Sequence, residues 1–215
     1  MFAYRVLIVT RQPVNGRPSL KSLPPAGIVC WPDAVRPAQD GRIKPIAGYR
    51  ADVYYNPLTD RRLPALAIAA DKNSVFDLFL ELLRPLGPTV DVILESSHFR
   101  SDANHRDYRR LGVDLSVFAS YLCEFEDLIS DDGCTGVAVI STRGPIEVQF
   151  DEHKTIVVYA PKRRRFRNIC QRFGLQRRDD LVLVSEVRHI HRSNPEYAMM
   201  FRDLTVRLGM TRDQK

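Results

Sequence analysis

The sequence predicts a mixed α/β fold, with helices packed on a sheet, and three observations carry that prediction. Short apolar runs rich in Val and Ile alternate with segments whose apolar residues have helical spacing. Two stretches of the chain repeat the same order of such elements. Proline crowds the start, with nine of the 14 in residues 1–64, so a long helix before residue 50 is not expected.

Length and composition set the bounds. The 215 residues are 44% apolar and 27% charged, enough for one large domain or two small ones. Collagen, coiled coil and disorder are excluded as the main state. No apolar run reaches the roughly 18 residues of a membrane span. The run Val6–Val9 is too short for a signal-peptide core. A cytoplasmic protein with no membrane partner is therefore expected.

The chain divides into a proline-rich extension and two α/β units. Tyr4 to Thr10 reads as a strand, and Ile28 to Trp31 as a second, short one, within an extension over residues 1–48 that packs on the first unit. That first α/β unit covers 49–132. Asp52 to Asn56 and Leu66 to Ala70 are strands. Ser74 to Leu86 has helical spacing, capped by Asp71, Asn73 or Ser74 and stopped by Pro85 and Gly87-Pro88. Thr89 to Leu94 is a strand, residues 99–114 a polar connector, and 115–130 a helix ended by Asp131-Asp132-Gly133. The second unit covers 133–215. Its strands are Thr135 to Ser141, Ile146 to Phe150, Thr155 to Ala160 and Leu181 to Val187. Pro161 opens a helix carrying Phe166, Ile169, Cys170 and Phe173, and Pro195 opens a last helix.

The two units match beyond element order. At an offset of 90, Ala70, Lys72 and Phe76 align with Ala160, Lys162 and Phe166. At an offset of 91, Glu95 and His98 align with Glu186 and His189, each pair an E-x-x-H at a strand end. The expectation is two similar β-β-β-α-β-α units in tandem, with a crossover that makes the last strand of each parallel to a neighbour. This order resembles the ribonuclease H-like and actin-like arrangement in topology alone. The phosphate loops of an actin-like ATPase have no counterpart. Ser141-Thr142-Arg143-Gly144-Pro145 lacks the acid, and Pro145 removes an N–H. Nucleotide hydrolysis is excluded on that ground.

Charge is localised. The formal net charge is +6, but residues 162–178 alone carry eight cations and no acid, leaving the rest at −2. Lys162, Arg163, Arg164 and Arg165 fall in the first turn of a predicted helix, with Arg167 and Arg172 further along it. Cations there oppose the helix dipole by about 0.3–1 kcal/mol each at low salt, and a bound anion would relieve this. The competing reading is a solvated face offset by Asp151 and Glu152. Five further acids, Glu124, Glu126, Asp127, Asp131 and Asp132, read as a solvated helix side and its end.

The histidines form a second constellation. His98 and His105 lie on the connector with Asp102 and Asp107, while His189 and His191 form an H-x-H at the equivalent strand end, with Glu95 and Glu186 nearby. An H-x-H on a strand places both rings on one face, as metal sites require. The spacing around His98 matches no strong motif. Ser96-Ser97-His98 has no nucleophile elbow. The four cysteines show no CxxC pair. Cys123 and Cys170 are placed on apolar helix faces, and all four are expected to be reduced.

The leading functional expectation is a non-catalytic interaction or regulatory protein. It would meet an anionic partner, a nucleic acid or acidic protein, through Lys162–Arg178. The alternative is a hydrolase with a divalent metal held by His98, His105, His189 and His191. A third reading is a homodimerisation scaffold using a free sheet edge. No other cofactor is expected. The first two part on whether the two histidine groups converge.

Overall fold

A computed structural model describes residues 30, 32–38, 46–56, 61–98 and 105–212. The strand expected at Tyr4–Thr10 and all but Cys30 of Ile28–Trp31 lie outside these residues. The protein is mixed α/β, with five α-helices and one large sheet among the described residues.

The strands are β1 (Val35–Pro37), β2 (Gly48–Asn56), β3 (Arg61–Ala69), β4 (Thr89–Ser96), β5 (Arg106–Asp114), β6 (Thr135–Ser141), β7 (Glu147–Phe150), β8 (Ile156–Tyr159), β9 (His189–His191) and β10 (Thr211–Arg212). Eight of them form one sheet in the order β10-β5-β4-β6-β7-β8-β3-β2, and β1 pairs with β9 apart from it. Every strand pair is antiparallel. The expected parallel crossover is absent among the described strands. Strands from both predicted units lie in one sheet, joined where β4 meets β6 and where β8 meets β3. The order of a ribonuclease H-like sheet is not what is seen.

The helices are α1 (Val75–Leu83), α2 (Leu115–Glu124), α3 (Glu126–Asp131), α4 (Arg164–Arg172) and α5 (Pro195–Arg207). Alternation along the strands explains where they pack. Val90, Val92 and Leu94 of β4, Val137 and Val139 of β6, and Val148 and Phe150 of β7 join the helical side chains in one core. Phe79 of α1 meets Phe150 with ring centroids 5.1 Å apart. The intervening residues Glu95, Gly136, Glu147 and Gln149 turn to the opposite face. On that face Leu181 and Leu183 cover Ala67.

Local chemistry sets the boundaries. Backbone N–H groups of Ser74 and Val75 donate to the Asp71 carbonyl, where α1 starts. Asp114 caps α2 by accepting from Ser116 N and Val117 N. The helix expected over 115–130 breaks at Phe125 into α2 and α3. Pro195 opens α5 after Asn194, whose side chain accepts from Tyr197 N.

Three differences have physical causes. The polar stretch RDYRRLGVD is strand β5, because register with β4 outweighs its missing apolar alternation. Leu181–Val187 is mostly irregular with a 3-10 turn at Val184–Glu186, held by Arg50 against Glu186 and the Leu181 carbonyl. Helix α4 begins at Arg164, three residues beyond Pro161, so Lys162 and Arg163 precede it. All four cysteines are free thiols, but Cys123 is exposed. Among the described residues no helix is long and apolar enough to cross a membrane.

Candidate metal centre

Antiparallel register collects all five histidines at one end of the large sheet. Ser96, the last residue of β4, pairs with both Thr135 of β6 and Arg106 of β5. Phe150, the last residue of β7, pairs with Val137 and Ile156. His98, His105, residues 132–134 and the β7–β8 turn at 151–155 therefore sit on the same edge. Strand β9 reaches that edge because Gly133 N donates to Arg192 O at 2.7 Å and Arg192 N to Ala34 O at 2.8 Å. Gly133 leaves no room for a side chain there. A Cβ would lie 2.3 Å from the Ala34 carbonyl and 2.8 Å from that of Arg192.

Three rings converge. His153 Nε2 is 3.1 Å from His189 Nε2, which is 3.0 Å from His191 Nε2. His189 and His191 project from the same face of β9, as the H-x-H spacing predicts. His153 sits in the β7–β8 turn, which Asp151 shapes. Its Oδ1 accepts from His153 N at 3.0 Å and Thr155 N at 2.9 Å, and Lys154 takes a positive φ of 58°.

The opposite nitrogen of each ring is committed. His189 Nδ1 donates to Val187 O and His191 Nδ1 to Gly133 O, both at 2.7 Å. His153 Nδ1 faces Asp151 Oδ2 at 3.2 Å. Carbonyl and carboxylate oxygens only accept, so each Nδ1 is assigned a proton, and a ring in its neutral form presents a bare Nε2 lone pair. In neutral rings the His189 lone pair would lie about 3 Å from those of His153 and His191, a repulsion that a metal ion, or a proton on one Nε2, relieves. Tetrahedral zinc with Zn–N bonds of about 2.0–2.1 Å sets its nitrogens roughly 3.3–3.4 Å apart, so a small opening of the rings suffices. Carboxylate and carbonyl partners on Nδ1 are the usual supports of metal-ligating histidine.

Electrostatics around the set is mixed. Burial opposes protonation of His153, but the hydrogen bond to Asp151 and its charge hold the pKa above the usual value. Burial lowers that of His191. Burial and the negative neighbours Asp107, Asp151 and Glu152 push Glu95 up to about 8. Burial brings Lys154 down to about 8, and its ammonium donates to Thr135 O at 2.9 Å.

The two histidine groups do not share one ligand set, so the four-histidine site expected from the sequence does not form, and the converging set is a different one. His189 and His191 belong to the converging set. His98 lies instead with Asp132 and Cys134, and Asp132 is fully buried, not part of a solvated helix end. His105 Nδ1 is 3.9 Å from Glu152 Oε2. Glu186 is taken up by Arg50, with Oε2 2.8 Å from Arg50 Nη1. The sequence gives no reason to add His153 to the set, because nothing links it to an H-x-H 36 residues later. The Asp-x-His of a hairpin turn is its one local signal.

The basic cluster is divided too. Arg163 donates to Asp52 O and Ala65 O, and so braces β2 against β3. Arg172 pairs with Glu81. Lys162, Arg164, Arg165 and Arg167 are exposed and have no acidic partner among the described residues. Asp151 and Glu152 face histidines at the sheet end.

No protein-family model, curated protein or solved structure matches the chain. The geometry of the histidine cluster is therefore the ground for a functional reading.

Proposed function

We propose that the chain is a metal-dependent hydrolase whose divalent ion, zinc foremost, is held by His153, His189 and His191. The observation that carries this reading is the commitment of all three Nδ1 atoms to acceptors, which turns three Nε2 atoms toward one another within 4.8 Å. Three protein ligands leave a fourth position open, and structural zinc sites close it with a fourth side chain. A bound zinc ion supplies a water acidified to near neutrality and a Lewis acid for a carbonyl or phosphoryl oxygen. The chain's own residues orient the rings through Asp151, Val187 O and Gly133 O. Beside His153, Ser97 Oγ donates to the Glu152 carboxylate at 3.1 Å.

The test is metal analysis of protein purified without a histidine tag, followed by zinc titration of His189→Ala and His153→Ala. About one tightly held ion at this site, lost in both variants, together with chelator-sensitive hydrolysis of ester or phosphoester probes, supports the reading. Unchanged zinc affinity in both variants removes the centre. Zinc binding without hydrolysis of any probe removes the catalytic part.

A second reading concerns another face. Lys162, Arg164, Arg165 and Arg167, exposed and without acidic partners among the described residues, favour contact with an anionic partner such as a nucleic acid. Such binding weakens steeply with salt and is lost when these four become Ala. A flat salt response refutes it.

A further inference from the structure

We infer that the chain holds a second metal ion, at His98, Asp132 and Cys134, beside the tris-histidine centre. One donor atom from each of these residues lies within 4.8 Å of the other two. The set is closed to solvent: the side chains of His98 and Asp132 are 5% and 0% exposed, and Cys134 is buried. Its residues come from two connectors that register brings together, the end of β4 and the start of β6.

The set points to an ion by what it leaves unsatisfied. His98 Nε2 is 2.9 Å from Asp132 Oδ2, close enough to stabilise the carboxylate, but it does not meet the geometry of a well-formed hydrogen bond. Asp132 Oδ1 is equally buried and makes no well-formed hydrogen bond, although the Ser193 side chain lies close enough to the carboxylate to help hold its charge. A buried carboxylate oxygen left without a hydrogen bond costs about 1–3 kcal/mol or more. A buried His–Asp ion pair is the competing account. It leaves Oδ1 without a well-formed hydrogen bond, gives the Cys134 sulfur no part, and places the ring off line. A cation among the three donors answers all three.

The outer contacts agree. Thr135 Oγ1 donates to Asp132 Oδ2, and Ser96 Oγ lies 2.8 Å from His98 Nδ1. These fix the carboxylate and the ring as the partners of metal ligands do. The donor chemistry narrows the ion. One thiolate, one imidazole and one carboxylate suit zinc, or cobalt in its place, and discriminate against magnesium and calcium. The Cys134 thiol loses its proton to the medium as the ion binds. Gly133, between Asp132 and Cys134, gives its carbonyl to His191, so one short loop serves both ions.

The test uses full-length protein without a tag, loaded with zinc or cobalt and desalted. The expected result is two ions per chain in the wild type and one in both Cys134→Ser and the His189→Ala/His191→Ala variant. The cobalt form should show a thiolate-to-metal charge-transfer band in the near ultraviolet. That band should persist in the double histidine variant and vanish in Cys134→Ser. Two outcomes overturn the second site: one ion per chain lost only in the double histidine variant, or a wild-type spectrum in Cys134→Ser. One ion lost only in Cys134→Ser keeps it and removes the tris-histidine reading instead. Circular dichroism of Cys134→Ser checks that the fold is kept, and His98→Gln repeats the measurement from another ligand.

Discussion

Asp151→Asn separates the tautomer argument from simple loss of structure. In the wild type one carboxylate oxygen accepts from two backbone N–H groups, at 3.0 and 2.9 Å, and the other faces His153 Nδ1 at 3.2 Å. Asparagine keeps one oxygen. The two backbone donors hold that oxygen, so the amide NH₂ turns toward His153 Nδ1. Two donors then oppose each other. The ring relieves this by moving its proton to Nε2, where it blocks the lone pair that faces His189. The turn survives and the ligand does not. Loss of such a supporting contact typically costs 10–100-fold in metal affinity, or about 1.4–2.7 kcal/mol. The assay is a zinc competition titration against a chromophoric chelator, with thermal melts of the metal-free proteins as the folding control. The expected result is that weakening with little change in metal-free melting. An Asp151→Asn affinity within twofold of wild type, while His153→Ala has lost binding, refutes the tautomer argument.

Three further outcomes are expected. Gly133→Ala places a methyl group 2.3 Å from the Ala34 carbonyl. It should lower stability by about 1–3 kcal/mol or more and weaken zinc binding through His191, read by melting and by the same titration. Glu147 is pushed from 4.5 up to about 7 by burial. Its raised pKa means the fold prefers the protonated acid, so this stability is full below about pH 4.5 and is lost as pH rises through about 7, a swing of roughly 3 kcal/mol. Glu147→Gln should flatten that part of a urea-midpoint profile, and an unchanged slope refutes it. Arg163→Ala leaves two strand carbonyls without their donor and should cost about 1–3 kcal/mol. Arg164→Ala should leave the melting temperature unchanged, and equal effects of the two overturn the division of the basic cluster.

Much of the element order was legible because periodicity is a local property. The strand alternation of β6 and the helical spacing of α1 and α5 need only their own residues. Strand β5 was not legible, since RDYRRLGVD gains its conformation from β4 on one side and β10 on the other. The antiparallel sheet was hidden for the same reason. A repeat of element order fixes spacing but not which strand pairs with which, and β8 pairs across the predicted unit boundary with β3. Two of the three rings of the candidate centre could be read from His-x-His on one strand. The third ring comes from a hairpin turn whose position depends on register alone. Asp132 looked like the plain end of a helix, and Cys134 like any reduced cysteine, until the β6 register placed them beside His98.

Strand β1 has a part in this that its three residues do not suggest. Val35, Arg36 and Pro37 pair with His191, Ile190 and His189, so the residues that present two of the three rings are backed by a segment near the chain start. An ion joining His153 to β9 closes a loop of 36 residues, and in doing so it holds that early segment in place as well. On the proposed metal reading, zinc binding should therefore also raise protection of the β1 segment, more than a hundred positions upstream of His153, in hydrogen exchange.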